Sequence, residues 1–146
     1  MHKRPSRYEE VLSSIIKDRE RLSVPCRIVD REEGDSIAAK LKNAARVLDN
    51  KRGCLGLAAN QLGFDGRVMV VKKGKRFKAL INPVLIAGTG KVVSEESCFS
   101  FPGLTSTVER FTRITVKADN TATITLRKME AIAFQHELDH LNGICI

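Results

Sequence analysis

The sequence predicts an α+β fold, with mostly antiparallel sheets packed around a C-terminal helix and further helices near the N-terminus. Three observations predict it. Apolar residues before Asn50 recur at helical spacing, which marks helices with one buried face. Between Val68 and Leu126 the chain breaks into short, β-branched runs separated by Gly, Pro, Asn and Asp. From Met129 the helical period returns. Helices, then strands, then a helix is the order of an α+β domain, and short consecutive strands pair antiparallel.

Val11, Leu12, Ile15 and Ile16 predict a first helix over about Tyr8 to Arg21, ended by Pro25. Ile37, Leu41, Ala44, Ala45 and Leu48 make one face of a second, from Ser36 to Asn50, with Asp35 or Ser36 as N-cap. The stretch RVMVVKKGKRFKALINP reads as strands Val68–Lys72 and Phe77–Ile81 around a basic turn, Lys73-Gly74-Lys75. Further short strands fit Val84–Ala87, Lys91–Ser94, Leu104–Thr107, Arg113–Ala118 and Thr121–Leu126, with Asp119-Asn120 as the last turn. Met129, Ile132, Ala133, His136 and His140 share a face of the final helix, which Gly143 ends. That stripe sets the histidines at the wall of the core.

A chain of 146 residues fits one domain, residues 1–146, and can bury a core without disulfides. Cys26, Cys54, Cys98 and Cys145 form no C-x-x-C pair, so no disulfide framework is expected. The net charge of +8 suits an anionic partner such as RNA or a ribosome. No basic stripe is interleaved with stacking aromatics, however, so specific DNA binding is not expected and the surface is simply rich in Lys and Arg. No apolar run reaches the length of a membrane span. The N-terminal segment mixes its bases with Glu9, Glu10, Asp18 and Glu20, unlike a signal or transit peptide. The expected compartment is the cytoplasm.

The chemistry concentrates near the C-terminal end, in QHELDHLNGICI. His136, Glu137 and His140 spell H-E-x-x-H. Residues four apart on a helix lie one above the other, so both imidazoles can reach one cation while Glu137 projects beside it toward a bound water. A zinc peptidase is one reading. In the metzincin pattern Gly143 matches, but Ile146 stands where the third histidine belongs. The third ligand is then sought upstream. His2 stands in the N-terminal segment, so a thiolate or carboxylate is the expected type. Another reading is an inactive basic binding module, which the intact acid–base residues disfavour.

Two upstream stretches, GCLGLAANQLG (Gly53 to Gly63) and SEESCFSFPG (Ser94 to Gly103), stand out for their glycines, glutamine and cysteine. With QHELDH they resemble the three signature motifs of the peptide deformylases, in order. GLAANQ is similar to that family's G-x-G-L-A-A-x-Q, ESCFS to its E-G-C-L-S, and QHELDH to its Q-H-E-x-D-H. The resemblance implies one divalent metal ion per chain, held by Cys98, His136 and His140. Fe(II) is the expected native metal, with Zn(II) or Ni(II) the alternatives. It implies removal of the formyl group from the N-terminal formyl-methionine of nascent peptides, by attack of metal-bound hydroxide with Glu137 as general base and acid. The Gln61 amide and the Phe99 backbone N–H would stabilise the oxyanion. The substrate main chain would lie along Leu55 and Gly56 like an added strand. Leu55, Met129, Ile132 and Ala133 would form the methionine pocket.

Three positions depart from the family's pattern. Cys54 and Ser97 stand at glycine positions and Phe99 at a leucine, which would reshape the entrance and leave Cys54 as an extra oxidisable thiol. The chain also stops soon after H-L-x-G, where many family members continue into a strand or helix that docks to the ribosome. A short form such as some viruses carry would fit, working in a bacterial or virus-infected bacterial cell. The basic hairpin, with Lys72, Lys73, Lys75 and Arg76, would then be the contact with the ribosome.

Overall fold

The structure, a computed structural model, describes residues 4–145, so His2 and Ile146 lie outside the described residues. Helix α1 spans Arg7–Ser14, and the Ser6 hydroxyl caps it by accepting from the Glu9 N–H at 3.1 Å. The expected helix over Tyr8 to Arg21 is in fact two. Ile15 turns extended, the Ile16 N–H donates to the Gln61 carbonyl at 2.7 Å, and Asp18 caps a separate short α2, Arg19–Leu22. A tertiary hydrogen bond and a second cap override the apolar period there.

Helix α3 runs over Arg31–Arg52, starting before the expected Ser36. Its true cap is Asp30, whose carboxylate accepts from the Glu33 N–H at 2.8 Å, and the acidic first turn suits the helix dipole. The expected inner face holds: Ile37, Leu41, Ala44, Ala45 and Leu48 are all buried.

A first antiparallel sheet has the order β1-β2-β3, from Gly56–Ala58, Val68–Lys73 and Arg76–Ile81. The basic turn falls at Gly74 and Lys75 as expected, though Lys72 is committed to Asp49 at 2.9 Å. Strand β1 was not expected, because its glycine-rich segment reads as loop. A 3-10 turn, Ala59–Leu62, follows it. Alternate residues of β2 serve two cores. Val68 and Val70 pack with Leu41, Leu48 and Leu57 on the α3 side. Met69 and Val71 pack on the other side with Leu80, Phe134 and Leu141.

The second sheet, in the order β4-β5-β6, comprises Val84–Ser97, Thr105–Ala118 and Thr121–Arg127. Four expected short strands are here two continuous ones of 14 residues each. Gly88 and Gly90 read as breaks in the sequence, but they make room for neighbours across the ladder. A Cβ at Gly88 would run into the Phe111 ring, and one at Gly90 into Thr112.

Helix α4, Met129–Leu141, ends as expected. Gly143 has φ +75°, its N–H donates to the His140 carbonyl at 3.0 Å, and the Ile144 N–H donates to that of Asp139 at 2.8 Å. The apolar stripe is divided otherwise than expected. Ala131, Phe134 and Leu141 face the core, whereas Met129 stands exposed and Ile132 half-buried beside a cavity. Among the described residues no helix is long and apolar enough to cross a membrane.

Candidate metal centre

The end of β4 and the middle of α4 meet at one point. Cys98 follows β4 directly, and His136 and His140 stand one turn apart on α4. A ligand atom from each lies within 4.8 Å of the others. Cys98 Sγ is 3.2 Å from His140 Nε2. His136 Nδ1 donates to Glu96 Oε1 at 2.8 Å, which fixes its tautomer and leaves Nε2 with a free lone pair. One thiolate and two imidazoles are a donor set for a borderline divalent cation, with a fourth position left to water or substrate.

The charges around these ligands are locked in place. Arg110, buried, donates to both oxygens of Glu96 at 3.0 and 2.8 Å and to Asp139 at 2.6 Å. Burial works against the Glu96 charge, but hydrogen bonds from His136 and Arg110 prevail and hold its carboxyl down at about 2. His136 is desolvated too, yet Glu137, Cys98 and Glu96 raise it to about 10. His140 goes the other way, pushed down to about 3 by burial and then by the charges of His136 and Arg110. A cation bound between the rings would compete with the proton on His136.

Glu137 supplies an independent sign that the site fits a cation and its water. It is buried, and desolvation raises its carboxyl to about 7 against the pull of His136. Its Oε1 has no hydrogen-bond partner among the described residues, so an enclosed acceptor waits for a donor beside the ligand cluster. Gly56 makes room for it. A Cβ there would come within 2.9 Å of both Glu137 Oε2 and the Val70 carbonyl.

A cavity of about 540 Å³ opens over this point. It is bordered by Leu55, Gly56, Gln61, Cys98, Phe99, Met129, Ile132, Ala133, His136 and Glu137, so the structure gathers around one space every site residue named from the sequence except His140, whose Nε2 meets Cys98 Sγ. Gln61 is buried and oriented. Its Oε1 accepts from the Ala58 N–H at 3.0 Å, so its NH2 end faces the site, 3.3 Å from Cys98 Sγ and 3.2 Å from Ser100 Oγ. Ser97 closes the β4–β5 ladder opposite Thr105. Cys54 borders the cavity but is only 2% exposed, and burial with the Glu137 charge pushes its thiol up to about 12. Its burial and its raised pKa both disfavour the thiolate form.

Sequence reasoning missed Glu96, Arg110, Asp139 and Ser100. Glu96 stands two residues before Cys98, and Asp139 lies inside QHELDH, so both were within the quoted motifs. Arg110 carried no local signal; it reaches the site only through the β4–β5 register that sets it opposite Val92.

The chain is similar to known proteins in sequence and in fold. The profile of the family described as Polypeptide deformylase matches residues 13–146. A peptide deformylase of Aquifex aeolicus is 41% identical, over 77% of this chain and 75% of its own length. One of Heliobacterium modesticaldum is 39% identical, over 78% and 82%. Among solved structures, peptide deformylase from Thermotoga maritima superposes with a TM-score of 0.77 at 32% identity, covering 89% of this chain and 91% of that one. PDF from a Vibrio parahaemolyticus bacteriophage, in complex with actinonin, gives 0.76 at 32% identity, covering 90% and 98%.

Proposed function

This chain belongs to the polypeptide deformylase family, and from that premise we propose how its own residues remove the formyl group from the N-terminal formyl-methionine of a nascent peptide. It is a hydrolase acting on a formyl amide. The observation that carries the mechanism is a cluster of one thiol and two imidazoles beside a buried carboxyl with an unused oxygen.

Cys98, His136 and His140 would hold one divalent cation, Fe(II) by preference and Zn(II) or Ni(II) in its place, which supplies Lewis acidity and lowers the pKa of water. Glu137 takes the proton of the attacking water on Oε1 and delivers it to the leaving amine. Its raised pKa suits both halves of that transfer near neutrality. As the formyl carbon becomes tetrahedral, charge grows on its oxygen. The Gln61 NH2, pre-aimed by Ala58, and the Phe99 N–H receive that charge. Glu96, clamped by Arg110, keeps the His136 ring turned to its task. The peptide lies along Leu55 and Gly56, at the open edge of β1, as an added antiparallel strand. Its methionine side chain enters between Leu55, Met129, Ile132 and Ala133.

The chain acts as one catalytic domain in the cytoplasm of a cell that makes formylated peptides. Lys73, Lys75 and Arg76 are exposed at the β2–β3 turn and offer a contact to ribosomal RNA. Unchanged co-sedimentation with ribosomes after changing all three to Ser would remove that contact from the scheme.

The decisive experiment offers the Fe(II)-loaded protein a formyl-Met tripeptide, its acetyl analogue and an unblocked peptide. Formate and a new amine are expected from the first alone; cleavage of a peptide bond would favour a zinc peptidase, and no turnover an inactive module. Glu137→Gln is expected to lower turnover by roughly 10²–10⁴ with the metal retained. Turnover kept in that variant would sink the proton-transfer role.

A further inference from the structure

Three buried side-chain atoms lack a hydrogen-bond partner among the described residues: Glu137 Oε1, His140 Nδ1 and Asn60 Oδ1. The mechanism uses the first. The other two belong to residues already in contact. Asn60 Nδ2 donates to the main-chain carbonyl of His140 at 2.7 Å, which fixes the orientation of the amide and leaves Oδ1 as an enclosed acceptor. His140 is wholly buried, with Nε2 turned to Cys98. A neutral ring that ligates through Nε2 keeps its proton on Nδ1, and a buried N–H without an acceptor is costly. An unmet donor and an unmet acceptor thus stand on two residues that one hydrogen bond already joins.

The contrast with His136 sharpens the point. That ring is held by Glu96 at 2.8 Å, whereas His140 has no such support from protein atoms among the described residues. We propose that Asn60 is a positioning residue for His140: its Oδ1 accepts, across one enclosed water molecule, the proton that His140 carries on Nδ1. A single water bridging the pair gives both atoms their bond, the usual role of a buried water between polar groups. Asn60 directly precedes Gln61 in the 3-10 turn Ala59–Leu62, so one short turn would orient both the oxyanion amide and the second imidazole. The inference rests on ligation by Cys98, His136 and His140, but adds a residue those three do not name.

The test compares Zn(II) affinity, by chelator competition, for the full chain and its Asn60→Ala and Asn60→Asp variants, with the thermal midpoint of each metal-free protein. Alanine removes both bonds and is expected to weaken zinc binding roughly ten- to a hundred-fold. Aspartate loses the donor to the His140 carbonyl but keeps the acceptor, and is expected to bind zinc at least as tightly as the parent, even with a lower midpoint. A residue that merely braces the end of α4 would give equal losses in both variants, which overturns the proposal, as would equal affinity in all three proteins. Nitrogen NMR of the zinc-loaded parent needs no variant. A slowly exchanging proton on His140 Nδ1 is expected, and ligation of zinc through Nδ1 would overturn the proposal outright. A parent chain that binds no zinc would sink the metal centre itself, and this inference with it.

Discussion

Strands β2 and β4 show how differently the two sheets are built. Along β2 four successive residues, Val68 to Val71, are buried, because α3 covers one face of the sheet and α4 the other. Strand β4 is more than twice as long yet buries no residue fully, and Val93 stands 69% exposed. Apolar area removed from water holds the first sheet. The second joins the apolar core under α4 through Ile114, Val116 and Leu126, and adds polar links at its far end: Glu96 on His136, Arg110 on Asp139, and Phe111, whose N–H and carbonyl meet the Gln135 amide at 2.9 and 2.8 Å. The candidate metal centre lies on the seam. Its histidines belong to the helix packed on the first sheet, while its thiol and the carboxylate behind it are delivered by the second.

That division implies that the costliest single cut is electrostatic and lies in the second sheet. Arg110→Ala is expected to destabilise the chain by about 3–5 kcal/mol, because it strands Glu96 and Asp139 without their cation. His136 would lose the rigidity of its support, so metal affinity should fall with stability. Urea unfolding and a zinc titration measure both; a loss below about 1 kcal/mol, as for an exposed pair, would show that the seam is not held by this network. Leu41→Ala attacks the other region. It removes a wholly buried side chain from the face of α3, at an expected cost of about 2–5 kcal/mol. The comparison requires that metal affinity be unchanged once folding is accounted for. Loss of zinc in that variant would mean the two regions are one.

What was legible in the sequence follows the same division. The α3 face and the strands β2 and β3 could be read because burial there is periodic along one segment. His136, Glu137 and His140 could be read because one helix carries them all. Cys98 and Gln61 came through a resemblance of motifs, since nothing in their spacing shows that two distant loops converge. The long strand β4 was broken in the reading because Gly88 and Gly90 look like turns until Phe111 and Thr112 are known to pack where their side chains would stand. Arg110 was invisible for the same reason. Its role depends on register across the ladder, and register is not a property of either strand alone. The break after Ser14 likewise depends on a carbonyl at Gln61, far along the chain.

The smallest expected effect on stability is the most telling about the seam. Gly56 sits on β1 opposite Val71, with the carboxyl of Glu137 close to where a Cβ would stand. In Gly56→Ala the new methyl would meet Glu137 Oε2 and the Val70 carbonyl at 2.9 Å, so either β1 withdraws from β2 or the carboxyl is displaced. Backbone pairing resists the first, and the second is open because the far end of a glutamate moves more easily. Overpacking of this kind costs about 1–3 kcal/mol. The sharper readout is kinetic: turnover of the formyl peptide should fall much more than zinc affinity, since the three ligands are untouched. A variant that loses zinc and turnover in equal measure would place the strain on α4 as a whole, and the carboxyl would then not be the group that this glycine accommodates.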